Sequence, residues 1–492
     1  MEIYVNGLKS SYEIEHLTRL FFKGANIKTG FAHSGRPLSD GDEKNKKANI
    51  VVARANNTRL MCYVCENDKT AFNMVHYNEK TEKGRVAALS RLVYDTLKNF
   101  TGVNPPWGLL TGVRPVRLIH DMWAKGMTDD EVKTKFKSDF CTSDEKYNLA
   151  METAQVQKEF LKNVAKNDYS LYVAIPFCPS RCSYCSFVSR TTESSKALIQ
   201  PYVEKLCLEI IDIKNIAEKC KLHLKTIYIG GGTPTSLNEE QLEMLMKTIN
   251  DCFDLSKVEE YTVEAGRPDC TNKAKLEIIK KYGATRLSIN PQTFNDEVLK
   301  GIARRHTAQD IVDCYHMARQ CGHSNINMDL IAGLPNESVE SFENSLQTAI
   351  SLKPENITVH TLTLKRASNL VIDSAKDAYA DVSEMLSKQN LLAKSGYLPY
   401  YLYRQKNTLQ NLENTGFCLK GFEGRYNIYI MEEVHTIISA GAGGVTKLCD
   451  KKTGRIDRVF NFKYPTEYIN DFDEILTRKR RVEEFYASYL DT

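Results

Sequence analysis

The chain has 492 residues, 42% hydrophobic and 26% charged, and a net charge of +4 from 66 basic and 62 acidic side chains. That length suits two or three domains, and so small an excess of positive charge gives no argument for a nucleic-acid or membrane-surface binder. No apolar stretch approaches the ~20 residues of a bilayer span, and the opening MEIYVNGLKSSYEIEHL lacks the basic-then-apolar pattern of a secretory leader, so a cytoplasmic protein is expected.

Residues 1–165 read as an α+β extension. MEIYVNG, NIVVARA and RLMCYVCE have strand character, and GRVAALSRLVYDTLKNF has helical spacing after a turn-forming KTEKG. The proline- and glycine-rich TGVNPPWGLLTGVRP marks a rigid turn or connector. From 166 to 370 the pattern becomes β-rich runs alternating with longer helical ones: LYVAIPF, TIYIGG, EYTVEAG, RLSIN, INMDLIAG and NITVHTL, with PYVEKLCLEIIDIKNIAEKC and EEQLEMLMKTINDCF among the intervening helices. Such repeats predict an α/β fold, a parallel βα barrel with its chemistry at the C-terminal strand ends. Residues 371–492 are expected as a smaller C-terminal domain: a helical DAYADVSEMLSKQNLLAKSG, a Tyr- and Gly-rich segment, and TRKRRVEEFYASYL as a solvated charged helix.

Fourteen cysteines in such a chain point to metal binding or buried thiols before disulfides. Isolated ones such as Cys141, Cys207, Cys252, Cys314 and Cys449 are expected as small buried hydrophobes, and Cys62 and Cys65 as strand residues. IPFCPSRCSYCSF differs. It sets Cys178, Cys182 and Cys185 on one loop directly after a strand-like run. A four-iron cluster needs four ligands, and three thiolates leave one iron open to a small chelating molecule. A structural zinc site with a remote fourth ligand is the competing reading.

Polar groups follow at successive strand ends. GGGTPT, with Gly231, Gly232 and Thr233, lets backbone approach a ligand closely. Glu264 can accept from an ammonium or a ribose hydroxyl, Gln292 can bond a ribose, Arg304 can hold a carboxylate through two bonds, and Asp329 ends the set. Together they suit a ligand that is both nucleoside and amino acid.

The three-cysteine loop resembles the signature of the radical S-adenosylmethionine superfamily. The order IPFC, GGGTPT, VEAGRP, RLSINPQTFNDEVLKGIARRH and NMDLIAGLP narrows this to the oxygen-independent coproporphyrinogen III oxidase family. The extension of about 165 residues and the TGVRP segment resemble its second-type dehydrogenase branch of Gram-positive bacteria. The resemblance implies a partial (β/α)6 barrel carrying a [4Fe-4S] cluster on Cys178, Cys182 and Cys185. It implies S-adenosyl-L-methionine contacts at Tyr172, Tyr184, Gly231, Gly232, Thr233, Glu264, Gln292, Arg304, Asp329 and Thr363. Reductive cleavage of the sulfonium would release a 5′-deoxyadenosyl radical.

The implied reaction is oxidative decarboxylation of two propionates of coproporphyrinogen III to vinyls, giving protoporphyrinogen IX in porphyrin and haem biosynthesis. The C-terminal domain would cover the substrate. The implied partners are a small-molecule tetrapyrrole and a reducing electron donor such as flavodoxin or ferredoxin, with no nucleic acid and no membrane. No side chain need be a general acid or base for the first step. Arg267, Arg305 and Arg404 are positional candidates for the substrate's carboxylates. Phe187 stands where well-known members of the family carry a further cysteine, and in this it resembles the haem-chaperone branch. Those chaperones carry an HNxxYW haem-binding motif, where this chain reads RYNIYIM with Tyr426 in the His position. A haem chaperone and another radical enzyme acting on a tetrapyrrole, such as a methyltransferase that opens haem, are the alternatives.

Overall fold

The computed structural model describes residues 1–22, 28–30, 49–56, 58–110, 114–187, 189–364, 381–405 and 408–490. Packing divides the chain into one unit of Met1–Met151 and another that begins at Glu152, with short exchanges near Arg404 and Leu412. The expected boundary at 370 and the 111–113 part of TGVRP lie outside the described residues.

The first unit is built on β1 (Glu2–Asn6), β2 (Lys28–Gly30), β3 (Ile50–Ala55), β4 (Arg59–Glu66) and β5 (Lys69–His76), in the order β2-β1-β3-β4-β5. Helices α1 (Tyr12–Phe21) and α2 (Glu82–Thr101) cover it, and α3 (Pro115–Ala124), α4 (Asp129–Ser138) and α5 (Asp144–Leu161) follow. Alternation along β1 and β4 turns Ile3, Val5, Leu60, Cys62 and Val64 inward against Leu89, Leu92 and Val93 of α2. Cys62 and Cys65 are therefore core residues of a strand.

The second unit holds six parallel strands in chain order: β6 (Asp168–Ile175), β9 (His223–Gly231), β10 (Glu260–Glu264), β11 (Arg286–Gln292), β12 (Ile326–Ala332) and β13 (Asn356–Thr361). Each matches one of the β-rich runs read from the sequence. A short pair, β7 (Phe177–Cys178) and β8 (Arg190–Thr191), carries the cysteine loop after β6. The crossovers are α6 (Lys196–Lys219), α7 (Glu239–Cys252), α8 (Lys273–Lys281), α9 (Asp296–Gly301) with α10 (Ala308–Gln320), and α11 (Val339–Leu352). Their starts are chemically marked. Asn238 and Gln241 form a reciprocal capping box on α7, and Thr307 and Asp310 another on α10.

The 371–492 segment supplies α12 (Val382–Ser387), α13 (Asn390–Lys394), β14 (Leu398–Arg404), β15 (Glu413–Cys418), α14 (Arg425–Glu432), β16 (Thr436–Ala440), β17 (Val445–Cys449), β18 (Ile456–Phe460), α15 (Pro465–Asn470) and α16 (Phe472–Leu490). Its strands extend the barrel sheet at both edges. β15 lies antiparallel to β13, and β16 lies parallel to β6.

One expectation is corrected here. The last helix is not a solvated one: Val482 and Tyr486 of α16 are core residues, and Lys479 is fully buried. Lys479 Nζ lies 3.1 Å from Glu209 of α6, so a charge that reads as surface is answered inside. Among the described residues, no helix is long and apolar enough to cross a membrane.

Candidate active site

The cysteine loop is fastened at several points. Gly232 N donates to Ile175 O at 2.7 Å and Thr233 N to Phe177 O at 2.8 Å, which pins the glycine turn after β9 under the end of β6. Ser183 N donates to Ile302 O at 3.1 Å, tying the middle of the loop to the end of α9. Gly231 has φ +112°, a conformation that L side chains rarely adopt. A Cβ at Gly232 would come within 2.5 Å of Phe177 O and 3.0 Å of Cys178 Sγ.

Cys178, Cys182 and Cys185 are all free thiols, with Cys182 only 8% exposed. Cys178 Sγ lies 3.5 Å from Thr233 Oγ1. Burial pushes the Cys178 thiol up to about 11, and its two neighbouring thiols push in the same direction. Burial also raises Cys185. Metal binding here must displace protons. Among the described residues, no three His, Cys, Asp or Glu side chains are gathered as ligands of a single ion.

Around this loop the strand ends bring most of the polar candidates together. Tyr228 Oη donates to Glu264 Oε1 at 2.6 Å. Burial pushes Glu264 up to about 7, with the neighbouring Asp329 adding to the rise. Burial also acts to raise Asp329, but His360, 3.7 Å away, and the amide of Asn327, at 2.8 Å, more than offset it and lower the group. Arg304 Nη1 donates to Asn290 O at 2.6 Å and Gly266 O at 3.3 Å, and Nη2 to Tyr184 Oη at 3.3 Å. Tyr184 is thereby joined to the ends of β10 and β11.

Among the buried side-chain atoms of the described residues that lack partners are Arg304 Nε, Gln292 Oε1 and, in the cysteine loop, Ser183 Oγ. Gln292 also has φ +69° and follows a register shift in the β11–β12 pairing. A strained backbone carrying an unsatisfied side-chain acceptor at a barrel mouth is where a polar ligand belongs. These orphans, the glycine cradle and the three thiols fit a cluster with an amino-acid nucleoside. Thr363 stands apart, its hydroxyl on Thr361 O at 3.4 Å and its backbone paired with Thr408.

Tyr172 faces Tyr228 across β6 and β9 in direct register, their rings stacked with centroids 6.0 Å apart. Tyr426 completes the group at 4.6 Å from Tyr228 and 6.3 Å from Tyr172. Its helix α14 is held there because Glu260, at the start of β10, accepts from Arg425 N at 2.6 Å and Tyr426 N at 3.3 Å.

Sequence reading missed Tyr228, His360 and the role of Tyr426. Period-2 alternation within TIYIGG carried a signal for Tyr228, which lies two residues before Gly230, while nothing local marked His360. Of the arginines considered for substrate carboxylates, Arg305 is exposed, Arg404 is buried over the Trp107 ring at 5.2 Å, and Arg267 is buried against the cysteine loop.

The sequence profile of the radical S-adenosylmethionine superfamily matches residues 172–349. The chain is 40% identical over 398 residues to the oxygen-independent coproporphyrinogen-III oxidase-like protein HemZ of Bacillus subtilis, covering 80% of this chain and 79% of that one. It is 34% identical over 280 residues to the haem chaperone HemW of the same organism, covering 56% and 70%. In fold it is similar to the coproporphyrinogen III oxidase HemN of Escherichia coli, with TM-score 0.50 and 23% identity over 65% of this chain and 72% of that one. The chain belongs to the radical S-adenosylmethionine superfamily, in the family of the oxygen-independent coproporphyrinogen III oxidase-like proteins, whose cofactors are a [4Fe-4S] cluster and S-adenosylmethionine.

Proposed function

We propose that this protein is an oxygen-independent coproporphyrinogen III dehydrogenase, converting two propionates to vinyls with loss of carbon dioxide. In this reading it works in the cytoplasm and draws electrons from a small reducing protein. Cys178, Cys182 and Cys185 would hold three irons, and the fourth would stay open to the amino and carboxylate groups of S-adenosylmethionine. Together those cofactors supply a radical able to take hydrogen from an unactivated carbon. The chain's own residues position and enclose. Gly231, Gly232 and Thr233 offer backbone to the amino-acid part. Glu264 and Arg304 bracket its charges, Gln292 meets the ribose, and Tyr172, Tyr184 and Asp329 line the remaining wall. Thr363 is the outlying member of this set.

The observation that carries the reading is the 3.5 Å approach of Cys178 to Thr233. It sets the three-thiol loop against the glycine turn, with Arg304 Nε and Gln292 Oε1 unpartnered among the same strand ends. Anaerobic incubation with coproporphyrinogen III, S-adenosylmethionine and a reductant, followed by product mass, tests it. Loss of two carboxyl groups is expected, and unchanged substrate beside cleaved S-adenosylmethionine sinks the substrate assignment.

Phe187, 62% exposed beside the cluster loop, favours a second reading as a haem chaperone. Tyr426 argues against it. Where the chaperone motif has its histidine, this tyrosine is 4% exposed and stacked against Tyr228, with Tyr172 beside both, which leaves an iron little room to approach. A stoichiometric haem complex without turnover would reverse that judgement.

A further inference from the structure

Arg267 lies outside the cofactor contacts assigned above, and its surroundings give it a different task from binding substrate. It is 3% exposed, too deep to meet the carboxylates of a bulky tetrapyrrole. Its guanidinium spans two segments. Nη2 donates to Ser180 Oγ at 2.8 Å, and Nη1 points to Ser180 O at 3.4 Å and Cys182 Sγ at 3.5 Å. On the other side, Nε and Nη2 hold the two carboxylate oxygens of Asp269 at 2.9 and 2.8 Å. Ser180, between the first two cysteines, in turn donates to Ala303 O at 3.0 Å. The planar fork is thus fixed by Asp269 and aimed at one sulfur.

The three thiols are treated unequally. Cys178 meets a threonine hydroxyl, and Cys185 a backbone N–H from Phe187. Cys182 faces the guanidinium of Arg267, and Arg304 stands beside it as well. Hydrogen bonds to cluster sulfurs and nearby net charge are two of the levers by which a protein sets an iron–sulfur reduction potential. A donor and a buried positive charge at a thiolate stabilise the reduced, more negative cluster and raise its potential.

We propose that Arg267 is a positioning residue that raises the reduction potential of the cluster through Cys182, with Asp269 orienting it and partly neutralising its charge. This rests on the assignment of the cluster to Cys178, Cys182 and Cys185. The test is a redox titration of the reconstituted full-length protein followed by electron paramagnetic resonance, after iron and sulfide analysis.

Arg267→Gln is expected to hold iron and sulfide as the parent does while its midpoint moves to more negative potential. Arg267→Lys, which keeps the charge but not the fork, is expected to recover part of that shift. Asp269→Asn is expected to move the midpoint the opposite way, because the guanidinium loses its counter-charge. Opposite signs at two neighbouring residues are not what general loosening of the loop would produce. A parent-like midpoint in a fully loaded Arg267→Gln protein overturns the proposal. If that variant assembles no cluster, the Asp269→Asn midpoint decides, and a negative or absent shift overturns it. A parent protein that takes up no iron and sulfide removes the cluster assignment and this proposal with it.

Discussion

The hydroxyl of Tyr228 at the end of β9 donates to the carboxylate of Glu264 at the end of β10, 2.6 Å away. That bond holds an acid at the barrel mouth whose burial pushes it up to about 7 from its ordinary 4.5. A carboxyl that binds its proton more tightly folded than unfolded makes stability fall as pH rises through the window between the two values, here about 4.5 to 7.

Glu264→Gln is therefore expected to lack a share of that decline. The full window corresponds to about 3 kcal/mol at 1.36 kcal/mol per unit. Urea midpoints of parent and variant, measured from pH 4.5 to 8 without cofactor, check this as the difference between the two curves. Parallel curves would mean that Glu264 is ionised well below neutrality.

Gly232→Ala tests the junction between the glycine turn and the cysteine loop. The added methyl would meet two backbone oxygens, Phe177 O at 2.5 Å and Ile175 O at 2.8 Å, before it reached Cys178 Sγ. Backbone cannot rotate away as a side chain can, so the end of β6 must shift, at a cost of about 1–3 kcal/mol. The variant is expected to fold, with thermal unfolding a few degrees lower, and to bind substoichiometric iron. Full iron loading with normal S-adenosylmethionine affinity would show that the close approach of these two segments is dispensable.

What the sequence made legible was local. Six β-rich runs, a cysteine triplet within eight residues and a triple glycine each carry their signal in a short window, and the strands fall where those runs lie. What it hid was long-range. Arg267 reads as a candidate for the substrate's carboxylates because Cys182, its neighbour in space, is 85 positions away. Tyr426 stands out only as the residue in the chaperone motif's His position, and its place beside Tyr228 stays hidden because Glu260, at the start of β10, sets it. The segment holding β14 to β18 has strands of only five to seven residues, with turn residues between them, so its periodicity never accumulates. Gln292 gave no sign of its positive φ, since nothing in SINPQTF requires it.

Helix α16 shows the same limit in energetic form, and it yields a prediction about stability. Lys479 and Glu209 are both fully buried. Glu209 also accepts from Gly441 N at 2.7 Å, Tyr468 Oη at 2.6 Å and Asn461 Nδ2 at 2.8 Å, while Lys479 Nζ reaches Ser439 O at 2.6 Å and Asn461 Oδ1 at 2.9 Å. These bonds link α6, α15, α16 and the ends of β16 and β18. Removing one charge strands the other in a low-dielectric interior, which costs about 3–5 kcal/mol, whereas removing both leaves no uncompensated charge. Lys479→Met is accordingly expected to destabilise the protein by that amount, and Glu209→Gln with Lys479→Met by clearly less than the sum of the two single changes. A double-mutant cycle from chemical denaturation checks it. Strict additivity would mean that the two charges act independently and that α16 is held by its apolar face alone.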